Sequence, residues 1–208
     1  ADAVHEVYAA STRHGSAAEG FGLGLALQAA GTLVWIHEDR GRHEQGALYG
    51  SGLREWGVET GDLLLVGVPD TAALLAAGEE ALRSGAPAAV LMSGWGESRA
   101  WSLTSSRRLA LAAAAGRTTA IFVRTGAQPQ ASASDTRWSV RAAPSKALEA
   151  GAPGRPAFRV SLLRSRAGVA PGEWIMEWDR EARSFVEPKT SGGLVSSPAY
   201  RPAGIRAA

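Results

Sequence analysis

The first residues that could do chemistry lie between a predicted strand and a predicted helix near the start of the chain. The run from Val4 to Tyr8 is apolar and predicts a strand, and Ser16 to Ala30, rich in Ala and Leu, predicts a helix. A P-loop, with the pattern GxxxxGK followed by Ser or Thr, occupies this position in proteins that hold nucleotide phosphates. Residues 9–18 read Ala-Ala-Ser-Thr-Arg-His-Gly-Ser-Ala-Ala instead.

This loop lacks the lysine that neutralises the β- and γ-phosphate oxygens. Aligned without gaps, Gly15 takes the lysine position, and a shift of one residue places Ser16 there. No lysine precedes Lys146, so no alignment restores one, and Arg13 lies on the wrong side of the loop. We therefore predict a degenerate P-loop, with no bound nucleotide and no cofactor, formed by Ser11, Thr12, Arg13, His14, Gly15 and Ser16.

The position that would orient Mg²⁺ has also changed. A predicted strand over 88–92 would end in an aspartate in a working ATPase, but Ser93 and Gly94 follow it here. Loss of lysine and aspartate together removes on the order of several kcal/mol of charge stabilisation, so we predict no hydrolysis and no enzyme activity. Glu38 and Asp39, after the second predicted strand, are either a relic of a water-activating carboxylate or part of a solvated turn.

No other catalytic or metal-binding pattern is present in the sequence. The four histidines do not have the spacing of metal ligands, and there is no cysteine. Ser93-Gly94-Trp95-Gly96 resembles half of a nucleophile elbow, but Leu91 stands where that motif requires glycine. The sequence therefore predicts no catalytic residue and no metal site.

Strands and helices alternate along the first half of the chain. Further strands are predicted over 32–36, 63–68 and 118–124, and further helices over 44–56, 70–84 and 103–115. The continuous apolar run over 63–68 is typical of a strand buried on both faces. Three strand-like segments over 137–142, 157–164 and 173–178 follow without helices between them. We predict an α/β fold with a mostly parallel central sheet, helices on both faces and an antiparallel C-terminal extension.

One domain is predicted to span residues 1–187, followed by a flexible tail over 188–208 that is rich in Pro, Gly and Ser. Residues 125–135, with no hydrophobic period, predict a long mobile loop. No apolar run approaches the roughly 20 residues needed to cross a bilayer, and no signal segment is recognisable. We therefore expect a cytoplasmic protein that does not contact membranes.

The order of elements resembles the RecA core over residues 4–187, and several short motifs resemble the ImuA family of bacterial mutagenesis cassettes more closely. These motifs are His5-Glu6-Val7-Tyr8, Trp95-Gly96-Glu97, Thr136-Arg137-Trp138, Phe158-Arg159-Val160 and Glu177-Trp178-Asp179-Arg180. The resemblance implies a RecA-like domain without a functional P-loop. It also implies an accessory role in SOS-induced translesion DNA synthesis, with an ImuB-like relative of the Y-family polymerases, an error-prone DNA polymerase and RecA as partners.

The charge distribution favours an anionic partner for the second half of the chain, either DNA or an acidic protein surface. Residues 1–100 carry 6 basic and 13 acidic side chains, whereas residues 101–208 carry 16 and 7. In the region of the RecA DNA-binding loops, aromatic and arginine side chains alternate, although packing tryptophans and solvated helix faces would give the same pattern. The candidate residues are Arg99, Trp101, Arg107, Arg108, Arg124, Arg137, Arg164 and Arg166.

Two other functions remain open from the sequence. A RecA-type DNA-dependent ATPase would have the same order of elements, but the altered P-loop counts against it. A cell-division inhibitor resembling SulA would also be RecA-like, so the fold does not separate it from an ImuA-like protein.

Overall fold

The structure, a computed structural model, describes residues 3–146, 152 and 154–188. The strands in this part of the chain are β1 Val4–Ala9, β2 Leu33–Glu38, β3 Leu63–Val68, β4 Ala89–Trp95, β5 Thr119–Thr125, β6 Thr136–Ala142, β7 Ala157–Ser165, β8 Gly172–Asp179 and β9 Ser184–Val186. The α-helices are α1 Gly15–Leu27, α2 Asp39–Gln45, α3 Gly50–Glu55, α4 Thr71–Ser84 and α5 Leu103–Gly116.

All of these strands belong to one sheet, in the order β3-β2-β4-β5-β1-β6-β7-β8-β9. The pairs from β3 to β6 are parallel, and the pairs from β6 to β9 are antiparallel. This confirms the predicted fold class, including the antiparallel extension. The carboxyl ends of the parallel strands meet at one edge of the sheet, where α/β proteins commonly place their sites.

Helices cover both faces of the parallel part, because successive strand residues point to opposite faces. Leu91 and Ile121 point toward α1, whereas Val90 and Phe122 point toward α4 and α5. Glycines let α1 approach the sheet closely, since a Cβ at Gly22 would lie 2.7 Å from a methyl group of Val123. Each face therefore has its own apolar core.

The prediction of one helix over 44–56 is wrong. The helix α2 begins earlier, at Asp39, and ends at Gln45, and α3 begins only at Gly50. Gly46 follows α2 with a φ of 88°, in the region that side chains avoid and glycine adopts freely. The helical spacing of the apolar residues could not reveal this turn.

The prediction that β3 is buried on both faces is also wrong. Among the residues that the structure describes, it lies at the edge of the sheet and pairs only with β2. Leu64 is 55% exposed and Leu65 is 44% exposed, on opposite faces of the strand. A continuous apolar run does not distinguish a central strand from an edge strand that offers apolar surface to another molecule.

Residues 126–135 contain neither helix nor strand, in agreement with the loop predicted over 125–135, but several of them are buried and hydrogen-bonded. Ser132 and Ser134 are buried and join their hydroxyl groups at 2.9 Å. The backbone N–H of Ala133 donates to Ser106 Oγ on α5 at 3.0 Å. The segment therefore covers part of the sheet.

The predicted tail over 188–208 lies outside the described residues except for Pro188. Within the part of the chain that the structure describes, no helix has the length and apolar character needed to span a membrane.

Candidate functional site

The candidate site lies at the carboxyl ends of the parallel strands, where the degenerate P-loop connects β1 to α1. After β1 ends at Ala9, residues 12–14 form one 3-10 turn and α1 begins at Gly15. This connection leaves no extended loop of backbone N–H groups to wrap a phosphate. His14 instead accepts a hydrogen bond from the backbone N–H of Ala142 at 3.3 Å.

A side chain from α2 covers the start of α1. Gly15 is buried, and a Cβ added there would overlap the amide group of Gln45. Ser11, Thr12 and Arg13 lie outside this contact and are exposed. The side chain of Gln45 therefore packs directly against the first residue of α1.

Ser93, which the sequence predicted to stand in the place of a magnesium-orienting aspartate, belongs to a chain of hydrogen bonds. The indole N–H of Trp35 donates to Ser93 Oγ at 2.8 Å. The Ser93 hydroxyl donates in turn to a carboxylate oxygen of Glu19, on α1, at 2.7 Å. Burial raises the pKa of Glu19 to about 7, although the hydrogen bond from Ser93 opposes the shift. At neutral pH this carboxyl group is therefore ionised in only part of the molecules.

Glu38, at the end of β2, is a buried carboxylate and not part of a solvated turn. Only 3% of the residue is exposed. One carboxylate oxygen accepts a hydrogen bond from the backbone N–H of Trp95 at 3.3 Å, and the other is buried without a partner. Asp39 and Arg40 are exposed, but they form the first residues of α2 and not a turn.

These groups line a small cavity of about 60 Å³. Its walls come from β2, β4, α1, α2 and the residues after α2, and they include Glu19, Trp35, His37, Glu38, Arg42, Gln45, Ser93 and Trp95. Pockets for drug-sized ligands usually enclose about 300 Å³ or more. The cavity can therefore hold a few water molecules or one small polar group, but not a nucleotide.

Two of the predicted partner-binding residues, Arg124 and Trp101, are buried and unavailable to an external partner. Arg124 is 1% exposed and donates to the carbonyl oxygen of Gly96 at 3.2 Å. Trp101 is 2% exposed and packs edge-to-face on Phe122, with ring centroids 4.5 Å apart. Because its indole is enclosed, Trp101 cannot stack a base, and it serves as a packing residue.

Three further candidate arginines anchor the segment 126–135. Arg137 pairs with the fully buried Glu6 at 2.6 Å and also donates to the carbonyl oxygen of Gln130 and the hydroxyl of Ser132. Arg164 donates to the carbonyl oxygen of Ser132 at 2.9 Å. Arg166 donates to that of Ala133 at 3.1 Å. These arginines therefore support the fold, and the basic second half is less available to partners than its charge indicates.

Arg166 is nevertheless exposed, as are the remaining candidates, Arg99, Arg107 and Arg108. Arg108 pairs across to Glu79 on α4 at 2.5 Å, which neutralises its charge locally. The helix α5, which carries Arg107 and Arg108, begins at Leu103 as predicted, and its N-cap is Ser102. Ser102 and Ser105 form a capping box, which satisfies backbone N–H groups at the start of the helix.

A second surface lies along β3, and we call it the β3 edge. On one face, Leu64 borders an apolar groove of about 420 Å³ between the edge of the sheet and α4. On the other face, Leu65 borders a smaller pocket with Leu48. The residues that line the groove are mostly apolar and include Val34, Ile36, Leu64, Val66, Ala77 and Ala81. The β3 edge is therefore apolar on both faces.

Comparisons with known proteins give similarity in structure but none in sequence. No protein-family profile matches the sequence, and no curated protein is similar to it in sequence. The structure is similar to the crystal structure of SulA from Pseudomonas aeruginosa, with 22% sequence identity and a TM-score of 0.44. The match covers 59% of this chain and 98% of that one. A similarity at this level does not establish a function.

The sequence analysis missed two features of these sites. Glu19 looked like one polar residue in a helix of small residues, and nothing in its spacing linked it to Ser93, 74 positions away. The exposure of the β3 edge was also missed. The acidic residues just before β3, Glu59 and Asp62, were an available signal, since charges are common next to edge strands.

Proposed function

We propose that this chain is a non-catalytic accessory protein of damage-induced mutagenesis, of the ImuA type, which acts by binding other proteins. The observation that carries the proposal is that protein groups fill the nucleotide position. Gln45 covers the start of α1, and Ser93 is engaged by Trp35 and Glu19. An ATPase needs open backbone donors, a lysine and a metal-binding carboxylate at these positions.

Residues from different motifs that resemble ImuA contact one another in the structure, which supports a shared structural role for these motifs. Glu6 pairs with Arg137, and the ring of His5 hydrogen-bonds the hydroxyl of Thr136 at 2.7 Å. Arg124 links this region to Gly96. Because these motif residues are held by contacts within the chain, we place the partner-binding surface on another part of the protein.

The β3 edge is the surface that we assign to an ImuB-like partner. The outer side of β3 has no strand beside it among the described residues, so its backbone N–H and C=O groups are available for pairing. An extended partner segment could add there as a further strand and place alternate side chains against the two faces. Leu64 and Leu65 provide apolar contact on either side.

Charge near the β3 edge favours a basic segment of the partner. Glu59 and Asp62 precede the strand and are exposed, and Glu80 lines the groove. The first 100 residues are acidic as a whole, with 13 acidic and 6 basic side chains. Such complementarity affects association rate and partner choice more than affinity.

Co-purification from cells with damaged DNA tests this proposal. A tagged full-length chain should capture an ImuB-like protein, together with the error-prone polymerase and RecA if these join the same assembly. A variant with Leu64→Lys and Leu65→Lys should lose the ImuB-like protein, because lysines on an edge strand oppose strand addition. Leu111→Lys is the matched control, since Leu111 is 72% exposed on α5, away from β3.

Two results would count against the proposal. Capture of the tubulin-like division protein in place of polymerase components would support a SulA-type inhibitor. Equal capture by the wild type and the β3-edge variant would show that the partner binds elsewhere.

A further inference from the structure

Two residues that line the cavity at the carboxyl ends of β2 and β4 carry buried polar atoms without a hydrogen-bond partner. One oxygen of Glu38 is buried without a partner, and Nδ1 of His37, which also lines the cavity, is in the same condition. A buried polar atom left unpaired costs about 1–3 kcal/mol, and more when it is charged. The cavity is therefore chemically incomplete as it stands.

A second carboxyl group, that of Glu19, lines the same cavity. It accepts a hydrogen bond from Ser93 on one oxygen, which leaves acceptor capacity on both oxygens. Burial raises the pKa of Glu19 to about 7, and burial together with the nearby charge of Arg42 lowers the pKa of His37. Near neutral pH, the imidazole is therefore uncharged, and a cation in the cavity would favour ionised Glu19.

The shape and walls of the cavity limit what can enter. Trp35 and Trp95 provide aromatic surface, on which a cation is stabilised by the ring electrons. The volume of about 60 Å³ admits only a small group. No cluster of three His, Cys, Asp or Glu residues that could hold a metal ion occurs in residues 3–146, 152 and 154–188. The fitting ligand is therefore a small organic cation with several N–H donors.

We infer that this cavity binds a guanidinium group through the carboxylates of Glu38 and Glu19, at the place where a P-loop protein would hold an anion. A planar guanidinium carries five N–H donors in a fixed fork, so it can satisfy two carboxylates and lie on an aromatic ring. The group is either the side chain of an arginine in a partner or a free small molecule. Arg42 and Asp39 are the other charged groups nearby, and Arg42 lines the mouth and disfavours a second cation.

The test is a titration of the full chain with methylguanidinium, followed by NMR at the indole N–H of Trp35. Sodium chloride at the same ionic strength is the control for nonspecific salt effects. We expect a saturable change in the Trp35 chemical shift, with a dissociation constant of about 1–10 mM, which is typical of a ligand that consists of one small charged group. Glu38→Gln should weaken binding at least about tenfold. Glu44→Gln, an exposed change on the same helix as Arg42, should leave it unchanged.

Two further measurements complete the test. Binding should strengthen severalfold between pH 6 and pH 8 as Glu19 ionises, and Glu19→Gln should remove this dependence. Arg42→Gln should bind more tightly than the wild type. L-arginine binding more than about tenfold tighter than methylguanidinium would identify a free small molecule, and equal affinity would identify a partner side chain. No saturable shift, an equal shift with sodium chloride, or full affinity in Glu38→Gln would overturn the inference.

Discussion

Ser93 donates a hydrogen bond to Glu19 across 2.7 Å, near the carboxyl end of β4, at the position where the sequence predicted the loss of a magnesium-orienting aspartate. The carboxyl group at this position thus belongs to Glu19 on α1, and β4 supplies only the hydroxyl group of Ser93. The indole N–H of Trp35 donates a hydrogen bond to the oxygen of the same hydroxyl group at 2.8 Å. The hydroxyl of Ser93 is therefore engaged on both sides by contacts within the protein.

We expect no saturable binding of Mg-ATP below about 1 mM, which corresponds to roughly −4 kcal/mol. The physical reason is the absence of the P-loop lysine together with the cover that Gln45 places over α1. Isothermal titration calorimetry on the full chain is the measurement. Gln45→Ala is the informative companion, because it opens the start of α1 but restores no lysine, and it should not bind either. A micromolar dissociation constant in the wild type would contradict the account.

We expect Glu19→Gln to raise the free energy of unfolding at pH 8 but not at pH 5. The pKa of Glu19 in the folded chain is about 7, above its ordinary value of 4.5, so folding favours the protonated form. Its contribution is fully present below about pH 4.5 and declines as pH rises through 7. The gain in the variant should be about 1–3 kcal/mol at pH 8. Urea unfolding at both pH values measures it, and an equal effect at both would contradict the shifted pKa.

We expect Arg137→Ala to destabilise the fold by about 3–5 kcal/mol, because it leaves the carboxylate of Glu6 buried and unpaired. Arg159→Ala is the matched control. That arginine also pairs with a glutamate at 2.7 Å, but both side chains are about half exposed, so the loss should stay below about 1 kcal/mol. Denaturant melts compare the two variants, and equal losses would show that the buried pair has no special role.

The same Arg137→Ala variant should loosen the segment 126–135 in particular. Arg137 donates to Gln130 and Ser132, so its loss removes two of the anchors of that segment. Hydrogen–deuterium exchange at the backbone N–H of Ala133 should accelerate in the variant more than exchange in α4. Unchanged exchange at Ala133 would mean that Arg164 and Arg166 hold the segment alone.

The alternation of strands and helices was predictable because their apolar periods are strong and local. The helix α4 illustrates this, since the sequence marks both of its ends. Asp70 is its N-cap, and Gly85, with a φ of 65°, directly follows its last residue. The antiparallel extension also followed from period-two segments such as Phe158, Val160 and Leu162, which are all buried. The missing lysine was directly visible in the sequence.

The roles of the arginines could not be predicted, because they depend on contacts between distant segments. Arg137 and Glu6 are 131 residues apart, and only the parallel pairing of β1 with β6 brings them together. An arginine that holds a carbonyl oxygen and one that meets a phosphate have the same sequence signal. The position of β3 at the edge was hidden for a similar reason, since strand order depends on the whole sheet.

The most direct test of the central claim, that this chain works by binding an ImuB-like protein at the β3 edge, is a quantitative titration with the purified partner. The wild type and Leu111→Lys should bind with the same dissociation constant. The variant with Leu64→Lys and Leu65→Lys should fold normally but bind at least about tenfold more weakly, a loss of about 1.4 kcal/mol or more. Unchanged affinity in the β3-edge variant, or no binding by the wild type, would contradict the account.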